Sequence, residues 1–123
     1  MEIEAGKEIP LEITPEEASR KMKDANVFLL DVRYAEEYEA SRIPGFLLIP
    51  LPELQKRINE LRPYKNMEIL VVCHHGVRSL MAAKELRKSG FNAKSISGGI
   101  SEWAAKIDKT MPQYRKWPVE LLK

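Results

Sequence analysis

A chain of 123 residues that is 44% hydrophobic and 31% charged has room for one domain with one core, and is too apolar to be a disordered segment. Twenty basic residues against 18 acidic ones leave a net charge of +2. Lys and Arg are scattered among Glu, so no nucleic-acid footprint is expected. No apolar run reaches membrane-spanning length, and the first residues, Met1-Glu2-Ile3-Glu4, are acidic, unlike a signal peptide. The expectation is a cytoplasmic protein without a membrane partner. A single cysteine, Cys73, cannot form an internal disulfide, which suits a reducing compartment and leaves a free thiol to be explained.

In chain order, residues 7–13 alternate loosely and suggest a short strand. Thr14-Pro15-Glu16-Glu17 is a marked helix start: Thr14 caps, Pro15 suits the first helical position and Glu17 completes a capping box. That helix is expected to end near Lys23 or Asp24. Val27–Val32 reads as a strand buried on both faces, with Arg33 at its carboxyl end. A short Glu-rich helix over 34–40, a turn at Ile43-Pro44-Gly45 and a short strand over 46–49 follow. Leu54, Ile58 and Leu61 then share one face of a helix opened by Pro52 and ended by Pro63. Residues 68–72 form an apolar, β-branched strand. Behind it Leu80, Ala83 and Leu86 have helical spacing, with Gly90 as the stop. A last strand over 93–97 and a helix over 100–107 close the pattern. The tail over 108–123 reads as irregular, packed down by Trp117. Strands alternating with helices argue for a parallel α/β sheet covered on both faces.

Cys73 stands where the strand ends and a short glycine-containing loop feeds a helix. In open α/β sheets ligands bind at that place. Free N–H groups and the helix dipole there favour an anion, and therefore a thiolate nucleophile. Arg78 follows in the spacing Cys-x-x-x-x-Arg: Cys73, His74, His75, Gly76, Val77, Arg78. Inward-facing loop N–H groups would cradle a sulfur anion.

This loop resembles the active-site loop of the single-domain rhodaneses, a family of sulfurtransferases. The resemblance extends to Leu30-Asp31-Val32-Arg33, Ile43-Pro44-Gly45, Ile49-Pro50 and Gly98-Gly99-Ile100 with Trp103, in the family's order over roughly 8–107. It implies a single rhodanese-like domain over 1–123, a three-layer α/β fold with a five-stranded parallel sheet, and a persulfide carried on Cys73. The implied reaction is ping-pong: a small anionic donor such as thiosulfate, or a persulfide, loads Cys73, and cyanide, a thiol or a protein sulfur acceptor unloads it. No cofactor is implied. Phosphatases and arsenate reductases of similar fold are known for a loop one residue longer; here Ser79 stands where their arginine would, so sulfur transfer is favoured. A non-catalytic interaction or regulatory module is the third reading, and the presence of Cys73 weighs against it.

Other residues have blander readings. Arg78 has a mixed role, binding donor anions and fixing the loop. Arg33 is either a second cation for the donor or the partner of Asp31 or of a Glu in the next helix. Asp31 is expected to accept loop N–H bonds. His74 and His75 lack further ligands at usable spacing, which argues against a metal site; they shape the rim, or one acts as a base. Gly76 permits a backbone angle denied to other residues. Glu36, Glu37 and Glu39 read as a solvated face. Ser41-Arg42 and Phe46 depart from the family's usual Gly-His and small residue.

Overall fold

The structure is a computed structural model and describes residues 10–111. Five strands, β1 (Glu12–Ile13), β2 (Val27–Asp31), β3 (Leu47–Leu48), β4 (Glu68–Val72) and β5 (Asn92–Ile96), form one sheet in the order β1-β5-β4-β2-β3. Every pairing is parallel. All carboxyl ends therefore lie along one edge, and crossovers return over the faces.

The two faces are set by the period of two along each strand. From β4, Ile69 and Val71 join one cluster with Leu30, Leu54, Leu61, Ala82, Ala83 and Leu86. Leu70 and Val72 join the other with Ile13, Ala18, Ile96, Ile100 and Trp103. Helix α3 (Val77–Lys88) covers the first face, while α1 (Pro15–Lys21) and α4 (Gly99–Lys106) cover the second. Helix α2 (Ala35–Ala40) lies beyond the carboxyl end of β2. Cys73 continues the parity of Ile69 and Val71, and belongs to the α3 face.

The start of α1 follows its sequence: Thr14 Oγ1 accepts from the Glu17 N–H at 3.1 Å, and Pro15 is the first helical residue. The Glu17 carboxylate meets the Thr14 hydroxyl at 3.2 Å. The helix stops two residues short of Lys23, with turns through 22–26. The helix expected around Leu54 is instead two 3-10 segments, Leu51–Glu53 and Ile58–Tyr64, with Pro63 inside the second. A proline ring there would meet the carbonyl four residues back in an α-helix, whereas the tighter 3-10 turn uses partners three apart. Leu54 and Leu61 are still buried together. In α3 the buried face is Ser79, Ala82, Ala83 and Leu86: Ala83 and Leu86 lie on it as expected, while Leu80 is only half-buried and Ser79 takes its place. The small Ala pair lets this helix lie close on the sheet. Residues 7–9 of the expected first strand, and Trp117 with most of the tail, lie outside the described residues.

Gly99 locks the two halves of the site edge together. Its φ is +60°, and a Cβ there would fall inside the carbonyls of Cys73 and His74. This closeness lets Ile100 N–H donate to the Cys73 carbonyl at 2.8 Å and Ser101 N–H to the His74 carbonyl at 3.0 Å. Gly99→Ala is expected to lower the thermal midpoint by at least several degrees, because backbone strain of about 1–3 kcal/mol adds to the overlap. A melting curve coincident with wild type would contradict this account.

Candidate active site

The site is the turn from Cys73 to Ser79. The first four N–H groups of a helix lack intrahelical partners. Helix α3 begins after Gly76, which has φ +103° and no side chain to cap with. The acceptor comes from upstream: Cys73 Sγ receives the Gly76 N–H at 3.0 Å and the Ser79 N–H at 3.3 Å. The sulfur thus does for α3 what Thr14 Oγ1 does for α1. It sits on the positive end of the helix dipole with two backbone donors aimed at it. The thiol in turn donates to Ser79 Oγ at 3.3 Å. Cys73 is only 1% exposed, so the amides face the sulfur although solvent barely reaches it.

Around this turn the loop residues alternate. His74 and Gly76 are buried, His75 and Val77 exposed, and Arg78 half-buried. The rings of His74 and His75 meet edge to face, 4.0 Å between centroids. Burial is the largest influence on His74, pushing its pKa down to about 4; His75, Arg33 and Arg78 push the same way, against Glu37. His74 is therefore neutral at neutral pH.

Arg78 donates to both carboxylate oxygens of Glu37, at 2.7 and 2.8 Å. Such a fork fixes the plane of the guanidinium as well as its position. Glu37 also accepts the Tyr34 N–H at 2.9 Å. Burial alone would raise the Glu37 pKa, but the bonds from Arg78 and Tyr34 and the charges of Arg78 and Arg33 outweigh it and hold the carboxyl below its usual range. Glu37, read from sequence as part of a solvated face, is buried. Its side chain points at α3 while its neighbours Glu36 and Glu39 stay exposed.

Arg33 takes the structural one of its two expected roles. Its side chain is wholly buried against Asp31, Nη2 to Oδ2 at 2.9 Å and Nε to both oxygens at 3.1 Å. It also donates to the carbonyls of Glu37 and Ser41, at 3.3 and 2.7 Å, and so holds the end of α2. These bonds turn the guanidinium towards Asp31 and the end of α2. Asp31 accepts the Arg33 N–H at 3.0 Å, as expected of a carboxylate at a strand end. At the turn that departs from the family pattern, Arg42 lies over the Tyr38 ring at 4.8 Å and Phe46 fills the core of the α4 face.

Two hydroxyl groups near the sulfur are not expected from the sequence. Ser79 Oγ touches Sγ and lies 2.7 Å from Ser95 Oγ on β5; both serines are fully buried. The signal for Ser79 was present, since 79, 82, 83 and 86 have the spacing of a buried helix face. Ser95 shares strand parity with the buried Ala93. Among the described residues no three His, Cys, Asp or Glu side chains converge to hold a metal ion.

Stability should fall as pH drops from about 6.5 towards about 4, because unfolded His74 takes a proton that the folded site refuses. His74→Gln is expected to flatten this limb of a plot of thermal midpoint against pH. An unchanged slope between the two proteins would refute the assignment.

The family model for the rhodanese-like domain matches residues 14–106. The chain is 42% identical over 99 residues to YrkF of Bacillus subtilis (strain 168), whose assignment as a sulfur carrier protein is itself provisional; the match covers 79% of this chain and 52% of YrkF. It is 34% identical over 128 aligned positions to the adenylyltransferase and sulfurtransferase MOCS3 of Arabidopsis thaliana, covering 85% of this chain and 28% of that one. The chain thus spans about half or less of the length of these curated relatives. Among solved structures, SSP1007 from Staphylococcus saprophyticus subsp. saprophyticus superposes with a TM-score of 0.70 at 30% identity, over 82% of this chain and 97% of that one. The thiosulfate sulfurtransferase from Pseudomonas aeruginosa gives 0.70 at 27% identity, over 84% of this chain and 20% of that one. A match running from the cap of α1 to the last residue of α4 takes in the whole sheet from β2 to β5 and the turn around Cys73, and the chain belongs to the rhodanese-like domain family.

Proposed function

We propose that the chain is a sulfurtransferase that carries a sulfane sulfur as a persulfide on Cys73. The observation that carries this reading is the pair of backbone N–H groups, from Gly76 and Ser79, directed at Cys73 Sγ within a Cys-x-x-x-x-Arg turn. Preorganised donors around a sulfur favour its anionic form, and the thiolate is the attacking species. The sulfurtransferase and sulfur-carrier names of the relatives are consistent with this chemistry.

In the first half-reaction the Cys73 thiolate attacks the outer sulfur of thiosulfate or of a persulfide donor. A new S–S bond forms as the donor's own bond breaks, and sulfite or a thiolate departs with the electron pair. In the second, cyanide or a thiol, small or on a protein, attacks the outer sulfur and Cys73 leaves as thiolate. Each half is a displacement at sulfur, so charge and atoms balance without an oxidant, and the two together are ping-pong.

The turn from His74 to Arg78 forms the cradle. Gly76 supplies an amide to Sγ and the left-handed backbone that aims it. Arg78 is bound to Glu37 through one N–H on each terminal nitrogen, and its half-buried side chain keeps further donors for the anionic end of a donor molecule. Arg33 is assigned to holding α2, and through it Glu37. His74, neutral and buried, and His75, exposed, line the inner and outer parts of the turn.

After incubation with thiosulfate the intact mass should rise by about the mass of one sulfur atom, return to its starting value with cyanide, and stay constant in Cys73→Ser. Wild-type protein that remains unmodified with thiosulfate and with persulfide donors would end the sulfur-transfer reading.

A further inference from the structure

Beneath Cys73 lie two hydroxyl groups that the reaction above does not use. Ser79 Oγ is 3.3 Å from Sγ, and Ser95 Oγ is 2.7 Å from Ser79 Oγ. Both residues are 0% exposed and look into an apolar cluster. On the same face α3 uses Ala82 and Ala83, which fill the space without a polar atom. A hydroxyl buried among such groups is costly unless it is bonded. Ser79 meets this requirement through the sulfur and Ser95, and Ser95 through Ser79. Strand parity brings them together: Ser95 pairs with Val71 in the sheet, two residues before Cys73 and on the same face.

We propose that Ser79 and Ser95 form a buried hydroxyl relay that stabilises the Cys73 thiolate as it is expelled from the persulfide, with Ser79 the catalytic donor and Ser95 the residue that positions it. The proposal rests on the sulfur-transfer reading and adds which half-reaction the pair serves. With a neutral thiol, S–H donates to Ser79 and Ser79 to Ser95. With a thiolate, the same oxygens suffice after both O–H bonds rotate: Ser95 donates to Ser79, and Ser79 donates to Sγ. No heavy atom needs to move.

The two states of the reaction differ in where the charge sits. In the persulfide it resides on the outer sulfur, within the cradle, and Sγ is neutral. During unloading the acceptor thiolate bonds to the outer sulfur, the Sγ–S bond breaks and its electron pair stays on Sγ. A donor fixed on Sγ from below therefore strengthens its bond as unloading proceeds. It bonds most strongly to the free thiolate, which restrains attack in the loading step. A better leaving group is a poorer nucleophile. The relay thus favours delivery over uptake.

The test separates the two half-reactions by single-turnover mass spectrometry in Ser79→Ala, Ser95→Ala, the double variant and Ser79→Thr, with melting curves to confirm folding. Rates are read at a pH where each thiolate is fully formed. In Ser79→Ala, discharge to cyanide should slow by about fivefold while loading from thiosulfate does not slow. Ser79→Thr, which keeps the hydroxyl, should restore discharge. Ser95→Ala should slow discharge by about twofold alone and add nothing to Ser79→Ala, because it acts through that residue. Equal slowing of both half-reactions, no change in discharge, or an undiminished effect of Ser95→Ala in the Ser79→Ala background would overturn the proposal. The thiolate's ultraviolet absorbance, read against Cys73→Ser, is a readout independent of transfer, since Cys73 is the only cysteine. It should titrate at higher pH in Ser79→Ala. A wild type that takes up no sulfur defeats the transfer reading and the relay's part in it together, whereas normal uptake with an unmoved titration defeats the relay alone.

Discussion

The direction of two carbonyl groups governs this site. A planar trans peptide points its C=O and its following N–H to opposite sides. The first turn of α4 draws the carbonyls of Cys73 and His74 outward, through the Ile100 and Ser101 N–H groups. The N–H groups of His74 and His75 consequently turn away from α4. The left-handed Gly76 then reverses the chain so that its own amide, and that of Ser79, meet the sulfur. A loop of this length has no internal means of holding so many dipoles against one another. The neighbouring crossover provides it, and only a glycine at position 99 lets the two backbones come close enough.

A second constraint fixes the charges. Asp31, at the end of β2, neutralises Arg33, and Arg33 grips the carbonyls at the end of α2. Helix α2 is short and has no basic residue in its last turn, so this guanidinium replaces the cation usually found there. The same helix presents Glu37 to Arg78. One carboxylate and one guanidinium are thus spent on architecture so that a second such pair can stand beside the sulfur. Removing either member of the buried Asp31–Arg33 pair would leave the other charge without compensation, which is far costlier than replacing both.

Much of this was legible in the sequence because it depends on local patterning. The five strands, the cap of α1, the stop of α3 near Gly90 and the place of the turn around Cys73 all follow from apolar patterning, turn chemistry and the position of one thiol. What escaped depends on contacts between distant segments. Glu37 carries no mark that separates it from Glu36 and Glu39, because only the placement of Arg78 across the sheet edge singles it out. Arg33 had two equal readings because a guanidinium at a strand end serves a ligand or a carboxylate equally well until the fold closes over it. Leu54, Ile58 and Leu61 gave the right buried face with the wrong winding, since the spacing of three from Ile58 to Leu61 fits a 3-10 helix as well as an α-helix, and the step of four from Leu54 falls in the turn between the two segments. In the sequence Ser79 is marked only by the arginine it replaces, because the partner of its hydroxyl on β5 is 16 positions away.

All five strands run the same way, so the turns that follow them lie on one rim of the sheet and the turns that precede them on the other. The turns at the carboxyl edge are tied to other elements: Arg33 to α2, Arg78 to Glu37, the Cys73 carbonyl to α4. The opposite rim carries the bends at Asp24-Ala25-Asn26, at Lys65-Asn66 and at Gly90, all open to solvent. Extra sequence spliced into that rim would emerge on the side remote from the thiol. A larger polypeptide can therefore grow around this domain from beneath while the mouth of the turn around Cys73 stays clear.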